Sequence, residues 1–440
     1  MAREMKDSGI QWVGDIPTGW KMTKINRICS TITDYVASGS FASLAENVKY
    51  LDEPDYAMLI RTVDVSGKGH SEKPVYINQH AYEFLSNSNL FGGEIMLPNI
   101  GASVGDVHIV PQLYEKMSLA PNSIMIRTTE CDKFVYYYFC SDAGKKSILD
   151  IAQSTAQPKF NKTDFKQLRI TIPSKDEQRN IVNVLDHTCA KIDVVIATTK
   201  ATIEEYKKLK QSVITDAVTK GVRGDRGMKD SGSVWFGRIP SDWDMRKIKY
   251  LFRIKKNIAG EEGYTVLSIT QRGIVPKDIS KNEGQLAESY ANYQLVDPGD
   301  FAMNHMDLLT GWVDVSSYSG VTSPDYRVFS LIDSKNNCRQ YYLYLMQMCY
   351  TNRIFYGLGQ GVSGLGRWRL QADKFLNFSI TVPSYKEQKE IANYLDQKCS
   401  AIDELIAKKE QYLSEIGNYK KSLIYEYVTG KKEVPQKYKA

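Results

Sequence analysis

The sequence predicts an α+β protein in which two mixed α/β domains are joined by two long antiparallel helices. Two observations predict it: the chain repeats itself from one end to the other, and each copy ends in a long helical pattern that no proline interrupts. The boundaries that we predict are 1–174 for the first domain, 175–220 for the first long helix, 221–227 for a linker, 228–384 for the second domain, 385–430 for the second long helix and 431–440 for a tail.

An internal duplication is the strongest signal in the chain. Residues Met5–Pro17 (MKDSGIQWVGDIP) return as Met228–Pro240 (MKDSGSVWFGRIP), and Pro173–Gln178 (PSKDEQ) returns as Pro383–Gln388 (PSYKEQ). Equivalent residues lie 223 positions apart near the start of each copy and 210 apart near its end, and the extra residues of the first copy fall mostly around 30–55. The ends of the two copies agree while their middles differ, which indicates one scaffold that carries two specificities.

The domains themselves read as mixtures of strands and helices. Short runs rich in β-branched and apolar residues, such as Tyr56–Val63 and Asn122–Thr128, predict strands because turn-forming residues bound them. Helix-forming residues with apolar spacing predict a helix over Asp132–Ile151. We expect the second domain to repeat this plan.

Each long helix has a recognisable start. Ser174 and Ser384 precede Glu177 and Glu387 by three residues, which predicts a capping box: the serine accepts from the glutamate's amide, and the glutamate reaches back to the serine's amide. Apolar residues then recur every three or four positions, at Ile181, Leu185, Ile192, Ile196, Ile203, Tyr206, Leu209 and Val213 in one copy, and at Ile391, Leu395, Ile402, Ile406, Leu413, Ile416, Leu423 and Tyr427 in the other.

This spacing predicts helices over 175–219 and 385–428, each roughly 60–65 Å long at 1.5 Å per residue. A single apolar stripe of that length needs a partner stripe, and the duplication supplies one in the same chain. We therefore expect the helices to pack antiparallel, with one domain at each end and a near-two-fold axis that relates the halves.

Composition narrows the class of protein. A hydrophobic content of 42% and a charged content of 25% are typical of a folded chain, and the net charge of +6 permits a polyanionic partner without requiring one. The seven cysteines form no Cys-x-x-Cys pair, the five histidines show no metal-ligand spacing, and no run is long and apolar enough to predict a membrane span. We expect a cytoplasmic protein without a bound metal.

Catalytic motifs are not evident. The sequence contains no Gly-x-Gly-x-x-Gly loop for a dinucleotide or S-adenosylmethionine, no Walker lysine loop and no Gly-x-Ser-x-Gly elbow. Asp325 followed by Asp333-Ser-Lys335 superficially matches a metal-dependent nuclease pattern, but the first copy has Asn122 and Cys131-Asp-Lys133 in the corresponding places. We predict that the chain has no catalytic residues. A stand-alone nuclease or methyltransferase, and a two-headed scaffold without nucleic acid, are the alternatives.

The duplicated MKDSG…W…G…IP element and the Pro-Ser-x-x-Glu-Gln helix start together resemble the specificity subunit of type I restriction–modification systems, over essentially the whole chain. The resemblance implies two target-recognition domains that each read one half of a split double-stranded DNA sequence. It implies long helices that hold the domains apart and dock two methyltransferase subunits, which restriction subunits with nuclease and translocase activity can join. S-adenosylmethionine, ATP and magnesium would belong to those partners.

The candidate DNA contacts are basic and amide side chains in loops, because such groups bind base edges and phosphates. In the first domain they are Arg61, Lys68, Asn99, Gln157, Lys159 and Asn161, and in the second Arg272, Asn304, His305, Gln360, Arg367 and Arg369. Lys159 and Arg369 are the preferred pair because they are repeat-equivalent, 210 positions apart. The candidates for capping and partner contact at the helix starts are Ser174, Glu177, Gln178, Ser384, Glu387 and Gln388.

Overall fold

The chain forms two compact units, and each unit combines segments from both halves of the sequence. A computed structural model describes residues 3–66, 73–152, 157–279, 287–362 and 367–438. The first unit comprises residues 1–199 together with 411–440, and the second comprises residues 200–410. The division falls inside the two long helices, so each unit contains the start of one long helix and the end of the other.

The first unit is built on two four-stranded sheets. Its strands are β1 (Met5–Asp7), β2 (Asp15–Pro17), β3 (Lys21–Lys24), β4 (Cys29–Asp34), β5 (Ala57–Ile60), β6 (Tyr76–Ile77), β7 (Asn89–Leu90), β8 (Ile95–Pro98), β9 (His108–Ile109), β10 (Met117–Leu119), β11 (Ser123–Thr128) and β12 (Arg169–Ile172). The sheets have the orders β6-β5-β10-β7 and β4-β11-β8-β9, with two-stranded pairs β1-β2 and β12-β3. All pairs are antiparallel except β5 with β10.

The helices of the first unit partly follow the sequence prediction. They are α1 (Phe41–Asn47), α2 (Thr62–Val65), α3 (Gln79–Phe84), α4 (Asp132–Cys140), α5 (Asp142–Ile151), α6 (Lys162–Gln167) and the start of α7 (Lys175–Lys220). The strand predicted over Asn122–Thr128 is confirmed as β11. The strand predicted over Tyr56–Val63 is wrong in its second half, because Asp64 accepts from the Arg61 amide and starts α2 there.

The helix predicted over Asp132–Ile151 is present but broken. Ser141 ends α4 and caps α5 by accepting from the Gly144 amide at 3.2 Å. The new helix brings Gly144 so close to the preceding turn that a Cβ atom there would lie 2.1 Å from the Tyr138 carbonyl oxygen. Only glycine fits this close approach, so the break is built into the sequence.

The second unit repeats the frame of the first. Its strands are β13 (Met228–Asp230), β14 (Arg238–Pro240), β15 (Asp244–Lys247), β16 (Phe252–Lys255), β17 (Leu267–Thr270), β18 (Gly273–Pro276), β19 (Gln294–Val296), β20 (Phe301–Met303), β21 (Val313–Val315), β22 (Gly320–Thr322), β23 (Arg327–Leu331), β24 (Gln360–Val362), β25 (Arg367–Arg369) and β26 (Ser379–Val382). Its helices are α8 (Arg339–Thr351), α9 (Ile354–Gly357), α10 (Ala372–Asn377) and the start of α11 (Tyr385–Val428). The sheet β16-β23-β20-β21 matches β4-β11-β8-β9, and the pairs β13-β14 and β15-β26 match β1-β2 and β3-β12.

The long helices complete the core of both units. In the first unit Leu185 of α7 and Val428 of α11 join a buried cluster with Trp20 and Phe134. In the second unit Val218 of α7 and Leu395 of α11 join Trp243 and Tyr341. Burial of these apolar side chains, at roughly 25 cal/mol per Å², ties the helix ends to the sheets.

Within each unit the two helix segments run antiparallel. In the first unit Asp193 pairs with Lys420, whereas His187, earlier in α7, lies against Tyr438, beyond α11. In the second unit Lys210 pairs with Asp403 at 2.6 Å, and Arg223, just after α7, pairs with Glu390 at 2.8 Å. Residue numbers rise along one helix as they fall along the other, so the predicted antiparallel packing of the two helices is confirmed within each unit.

No stretch long and apolar enough to cross a membrane occurs in any helix of the described part of the chain.

Candidate nucleic-acid interface

One junction in each unit brings predicted DNA-contacting residues together. In the first unit Asn99 follows β8. Its side-chain Nδ2 donates to the Phe160 backbone carbonyl at 3.1 Å, and its backbone carbonyl accepts from the Phe160 backbone amide at 3.0 Å. A bridge between Ile100 and Lys159 continues this contact, and the Lys159 side chain is exposed beside it. We call Asn99, Ile100, Lys159 and Phe160 the first junction.

The second unit contains the equivalent contact. His305 follows β20, and its carbonyl accepts from the Leu370 amide at 2.9 Å. His305 lies 206 positions after Asn99, and Leu370 lies 210 after Phe160, which matches the repeat spacing. Arg369 is exposed beside this contact, as Lys159 is in the first unit. We call His305, Arg369, Leu370 and the adjacent Arg327 the second junction.

The two junctions present different chemistry. Asn99 and Lys159 offer an amide and an ammonium group, whereas His305 and Arg369 offer an imidazole and a guanidinium group. Burial, and after it the positive charges of Arg327 and Arg369, lower the pKa of His305 to about 3. His305 is therefore neutral at physiological pH and carries one ring N–H donor and one acceptor.

Four other candidates support the local fold. Arg61 donates to Asp64 at 2.9 Å and to the Lys73 carbonyl at 3.0 Å. Asn161 caps α6 by accepting from the Asp164 amide at 2.8 Å, and Asn304 accepts from the amides of the turn that follows it. Gln360 accepts from Gln371 at 2.8 Å. These groups shape their loops, and sequence reasoning had no means to separate that role from DNA contact.

The remaining candidates lie elsewhere. Arg272 is exposed at the turn between β17 and β18, and Gln157 is exposed near Gly101. Lys68 and the side chain of Arg367 lie outside the described residues, although the Arg367 backbone forms part of β25.

The predicted serine caps are present at both helix starts. Ser174 and Ser384 accept from the amides of Glu177 and Glu387, each at 3.3 Å. The glutamate half of the predicted capping box is wrong, because the carboxylates are used elsewhere: Glu177 binds Arg3 and the Trp20 indole, and Glu387 binds Arg226. For a carboxylate, a charged arginine is a stronger hydrogen-bond partner than the backbone amide of the serine. Arg3 and Arg226 are 223 positions apart, a spacing that could have revealed them in the sequence.

The two glutamines of the helix starts join each long helix to its unit. Gln178 and Gln388 are fully buried, and their side-chain oxygens accept from the amides of Cys131 and Cys338 at 3.0 and 2.8 Å. Their amide nitrogens donate to the carbonyls of Pro173 and Pro383. Since these side chains are occupied within the chain, they are not available for contact with another protein.

Exposed apolar side chains occur on the long helices at repeat-equivalent positions. In the first unit they are Val195 on α7 and Tyr419 on α11, which are 36% and 52% exposed. In the second unit they are Leu405 on α11 and Leu209 on α7, at 43% and 48%. Leu209 was predicted to belong to the packed stripe; it faces solvent instead. Each unit thus presents one apolar pair, which we call its helix patch.

The nuclease-like pattern forms an ordinary turn. Asp333 accepts from the amides of Lys335 and Asn336 at 3.0 and 3.2 Å, and its hydrogen bonds, first with the Asn336 side chain, lower its pKa. Asp325 is exposed eight positions earlier. Among the described residues no three His, Cys, Asp or Glu side chains are placed to hold a metal ion. All seven cysteines are free thiols.

Comparisons with known proteins agree with this architecture. The family model of the type I restriction modification DNA specificity domain matches residues 17–205 and 240–415. The type I restriction enzyme MjaVIII specificity subunit of Methanocaldococcus jannaschii is 27% identical over 366 residues, which cover 79% of this chain and 80% of that protein.

A solved structure extends the comparison to the fold. A structure that addresses complex assembly and conformational transition of the type I R-M system contains a chain with a TM-score of 0.66 and 14% identity, and the match covers 94% of this chain and 99% of that one. The HsdS subunit from Thermoanaerobacter tengcongensis covers 94% of this chain at 15% identity with a TM-score of 0.47.

Proposed function

Because this chain belongs to the family of type I restriction–modification DNA specificity subunits, we propose that its two units read the two halves of a split DNA sequence. The family's subunit gives the restriction–modification complex its specificity and is not the catalytic component. One domain can read only a few base pairs through groove edges, so two domains on one scaffold allow a longer, bipartite target.

One observation carries this proposal. The two junctions occupy equivalent places in a repeated frame, yet one displays Asn99 and Lys159 and the other His305 and Arg369. Amide groups and cationic groups prefer different base edges: asparagine suits adenine, whereas lysine and arginine suit guanine. A conserved frame with different polar groups at the same place is what two different half-sites require.

A segment exchange tests the proposal. Replacing residues 21–160 with the corresponding segment of a relative should change one half of the methylated sequence and leave the other half unchanged. The matched control is the same exchange of residues 244–370, which should change the opposite half. Sequencing of methylated bases in cells that carry each exchange gives the result. A motif that changes in both halves, or in neither, would contradict two independent readers.

We further propose that two methyltransferase subunits bind the chain, one at each helix patch. Val195 and Leu405 are repeat-equivalent, as are Leu209 and Tyr419, so the two patches offer similar surfaces to two copies of one partner. Exposed apolar groups of this kind mark interaction sites more often than isolated surface positions do. S-adenosylmethionine would be bound by the methyltransferase subunits, and ATP and magnesium by restriction subunits that join them.

A lysine introduced into each helix patch tests the two patches one at a time. Val195→Lys should remove one methyltransferase subunit from the complex, Leu405→Lys the other, and the double variant both, because a buried lysine is costly in an apolar interface. Ala201→Lys places the same charge on another exposed face of α7 and should keep both subunits. Native mass spectrometry of the purified complex counts them. Unchanged stoichiometry in the double variant would place the partners elsewhere.

A further inference from the structure

The second unit contains a buried arginine that has no counter-charge among the residues that the structure describes. Arg327 lies at the start of β23 and is 5% exposed. One guanidinium nitrogen donates to the Leu370 carbonyl at 2.9 Å, and the group lies over the Phe375 ring, 4.9 Å from its centre. The other terminal nitrogen, Nη1, has no hydrogen-bond partner, and none of the ion pairs found in the described ranges includes Arg327.

This arginine faces a cavity of about 410 Å³, and no acidic residue is found among the described residues that line it. His305, buried beside it, likewise has a ring nitrogen, Nδ1, for which the described part of the chain supplies no hydrogen-bond partner. Arg369 and Lys256 are exposed lining residues, and no ion pair of either is found among the residues that the structure describes. The fourth cation, Lys255, is neutralised by Asp297 and Asp300, at 2.7 and 2.6 Å.

A buried, unpaired guanidinium group opposes folding. Burial lowers the pKa of Arg327 to about 10, so the group still carries its charge at neutral pH. The Leu370 carbonyl and the Phe375 ring offset only part of the desolvation cost, because neither carries a full negative charge. Buried charges of this kind cluster at functional sites, where a ligand can use the charge.

The first unit shows that the frame itself does not need the arginine. The spacing of 203 positions between Pro121 and Pro324 makes Ile124 the equivalent of Arg327. Ile124 pairs with Leu97 in β8, and Arg327 pairs with Met303, 206 positions after Leu97, in β20. Ile124 is fully buried among apolar side chains. The charge is therefore particular to the second unit.

We propose that this cavity binds a hydrogen-bond acceptor of DNA through Arg327, with Arg369 at its exposed side. The acceptor is either the O6/N7 edge of guanine or a backbone phosphate oxygen, since both accept from guanidinium groups. This inference rests on the proposed function and assigns a specific contact to the second half-site. The first unit, with isoleucine at this position, makes no equivalent contact.

The test uses the complete complex with its methyltransferase subunits. Arg327→Met should weaken binding to a duplex with the recognised sequence about tenfold to a hundredfold, measured by fluorescence anisotropy at several salt concentrations. Its melting temperature should not fall, because the variant no longer buries a charge. Arg246→Met removes a surface arginine outside the cavity lining and should leave binding unchanged.

The two sources of the acceptor give different results. If guanine is read, Arg327→Met makes one position of the second half-site in the methylated motif less specific. Arg327→Lys also weakens binding, because lysine cannot form the bidentate pair of hydrogen bonds that arginine forms. If phosphate is bound, affinity falls for every sequence. The slope of log affinity against log salt concentration becomes shallower by about one, which corresponds to one lost phosphate contact, and Arg327→Lys keeps most of the affinity.

An arginine with a purely structural role would behave otherwise. Arg327→Met would then lower the melting temperature while affinity and motif stayed as in the wild type, and this result would overturn the inference. Arg369→Met, at an exposed position, repeats the test without a folding cost, and unchanged binding in that variant would also contradict the proposal. If the wild-type motif proved not to be split, the proposed function would fail first, independently of the cavity.

Discussion

His305 shows how one buried side chain sets a pH dependence. Its pKa in the folded chain is about 3, lowered first by burial and then by Arg327 and Arg369, whereas its ordinary value is 6.5. Between these values the unfolded chain binds a proton that the folded chain does not. Stability therefore falls as the pH decreases through 6.5, by about 2 kcal/mol at pH 5 for this group.

We predict that His305→Asn removes this dependence. Asparagine occupies the equivalent position in the first unit, as Asn99, so the substitution uses a residue that this frame already accommodates. The stability lost between pH 7.5 and pH 5 should be about 2 kcal/mol smaller in the variant than in the wild type. Thermal unfolding at both pH values measures the difference. Parallel pH curves for the two proteins would mean that His305 titrates normally.

At the residue scale, the repeat alone singles out candidates for DNA contact. Lys159 and Arg369 are preferred because they are equivalent and both precede a strand that leads into a long helix, and their role stays a prediction. Arg327 is not among the candidates from the sequence because it sits in a strand run, where a polar residue is normally taken to face solvent. Comparison of the copies would have shown it, since an arginine replaces Ile124 at a position that the frame buries.

At the element scale, the long helices were the most predictable part of the fold. Helices over 175–219 and 385–428 were predicted, and Lys175–Lys220 and Tyr385–Val428 are observed, because caps and apolar spacing are local signals. The break at Ser141 was missed because it depends on a contact between Gly144 and the preceding helix. The grouping of short strands into sheets was not predictable either, since pairing joins residues far apart in the sequence.

Substitution by alanine should have opposite effects on stability at two glycines, one inside α11 and one just after its end. Gly417 lies inside the helix, and a Cβ atom there would meet nothing within 4 Å, so Gly417→Ala should stabilise the chain by roughly 0.5–1 kcal/mol. Gly430 follows the helix at φ +72°, with a Cβ position 2.4 Å from the Pro17 ring. Gly430→Ala should destabilise by at least ~1–2 kcal/mol.

Thermal unfolding of the two glycine variants side by side gives the comparison, with Gly417→Ala as the internal control for the change to alanine. Equal melting temperatures for both variants would mean that the contact between the end of α11 and Pro17 does not contribute to stability.

At the scale of the whole molecule, the end of the chain completes the first unit as the end of α7 completes the second. The Tyr425 hydroxyl donates to the Val13 carbonyl at 3.2 Å, and Gly430 lies against Pro17. In the second unit Gly221 lies against Trp243, and a short linker continues from it to β13. The first unit has the same arrangement of helix end and hairpin without the linker.

We predict that the chain tolerates circular permutation at this linker. A variant that starts at Gly224, ends at Arg223 and joins residue 440 to residue 1 through a short flexible segment should fold and support methylation of the wild-type motif. A control opened at Ser141, which is fully buried between α4 and α5, should be strongly destabilised. Circular dichroism and motif sequencing check both. Failure of the linker permutant alone would show that the intact connection through residues 221–227 is needed for folding.

The dependence of the first unit on residues 411–440 also orders events during synthesis. The second unit is one continuous segment, so all of it has been synthesised before the end of α11 is translated. The first unit must wait, because Leu423, Ile424, Tyr427 and Val428 belong to its buried core. At a translation rate of about 5–20 residues per second, the apolar core residues of the first unit remain without their partners from α11 for roughly 10–50 s after residue 199 is synthesised. During synthesis the first half of the nascent chain is therefore the part that exposes unpacked apolar surface for longest.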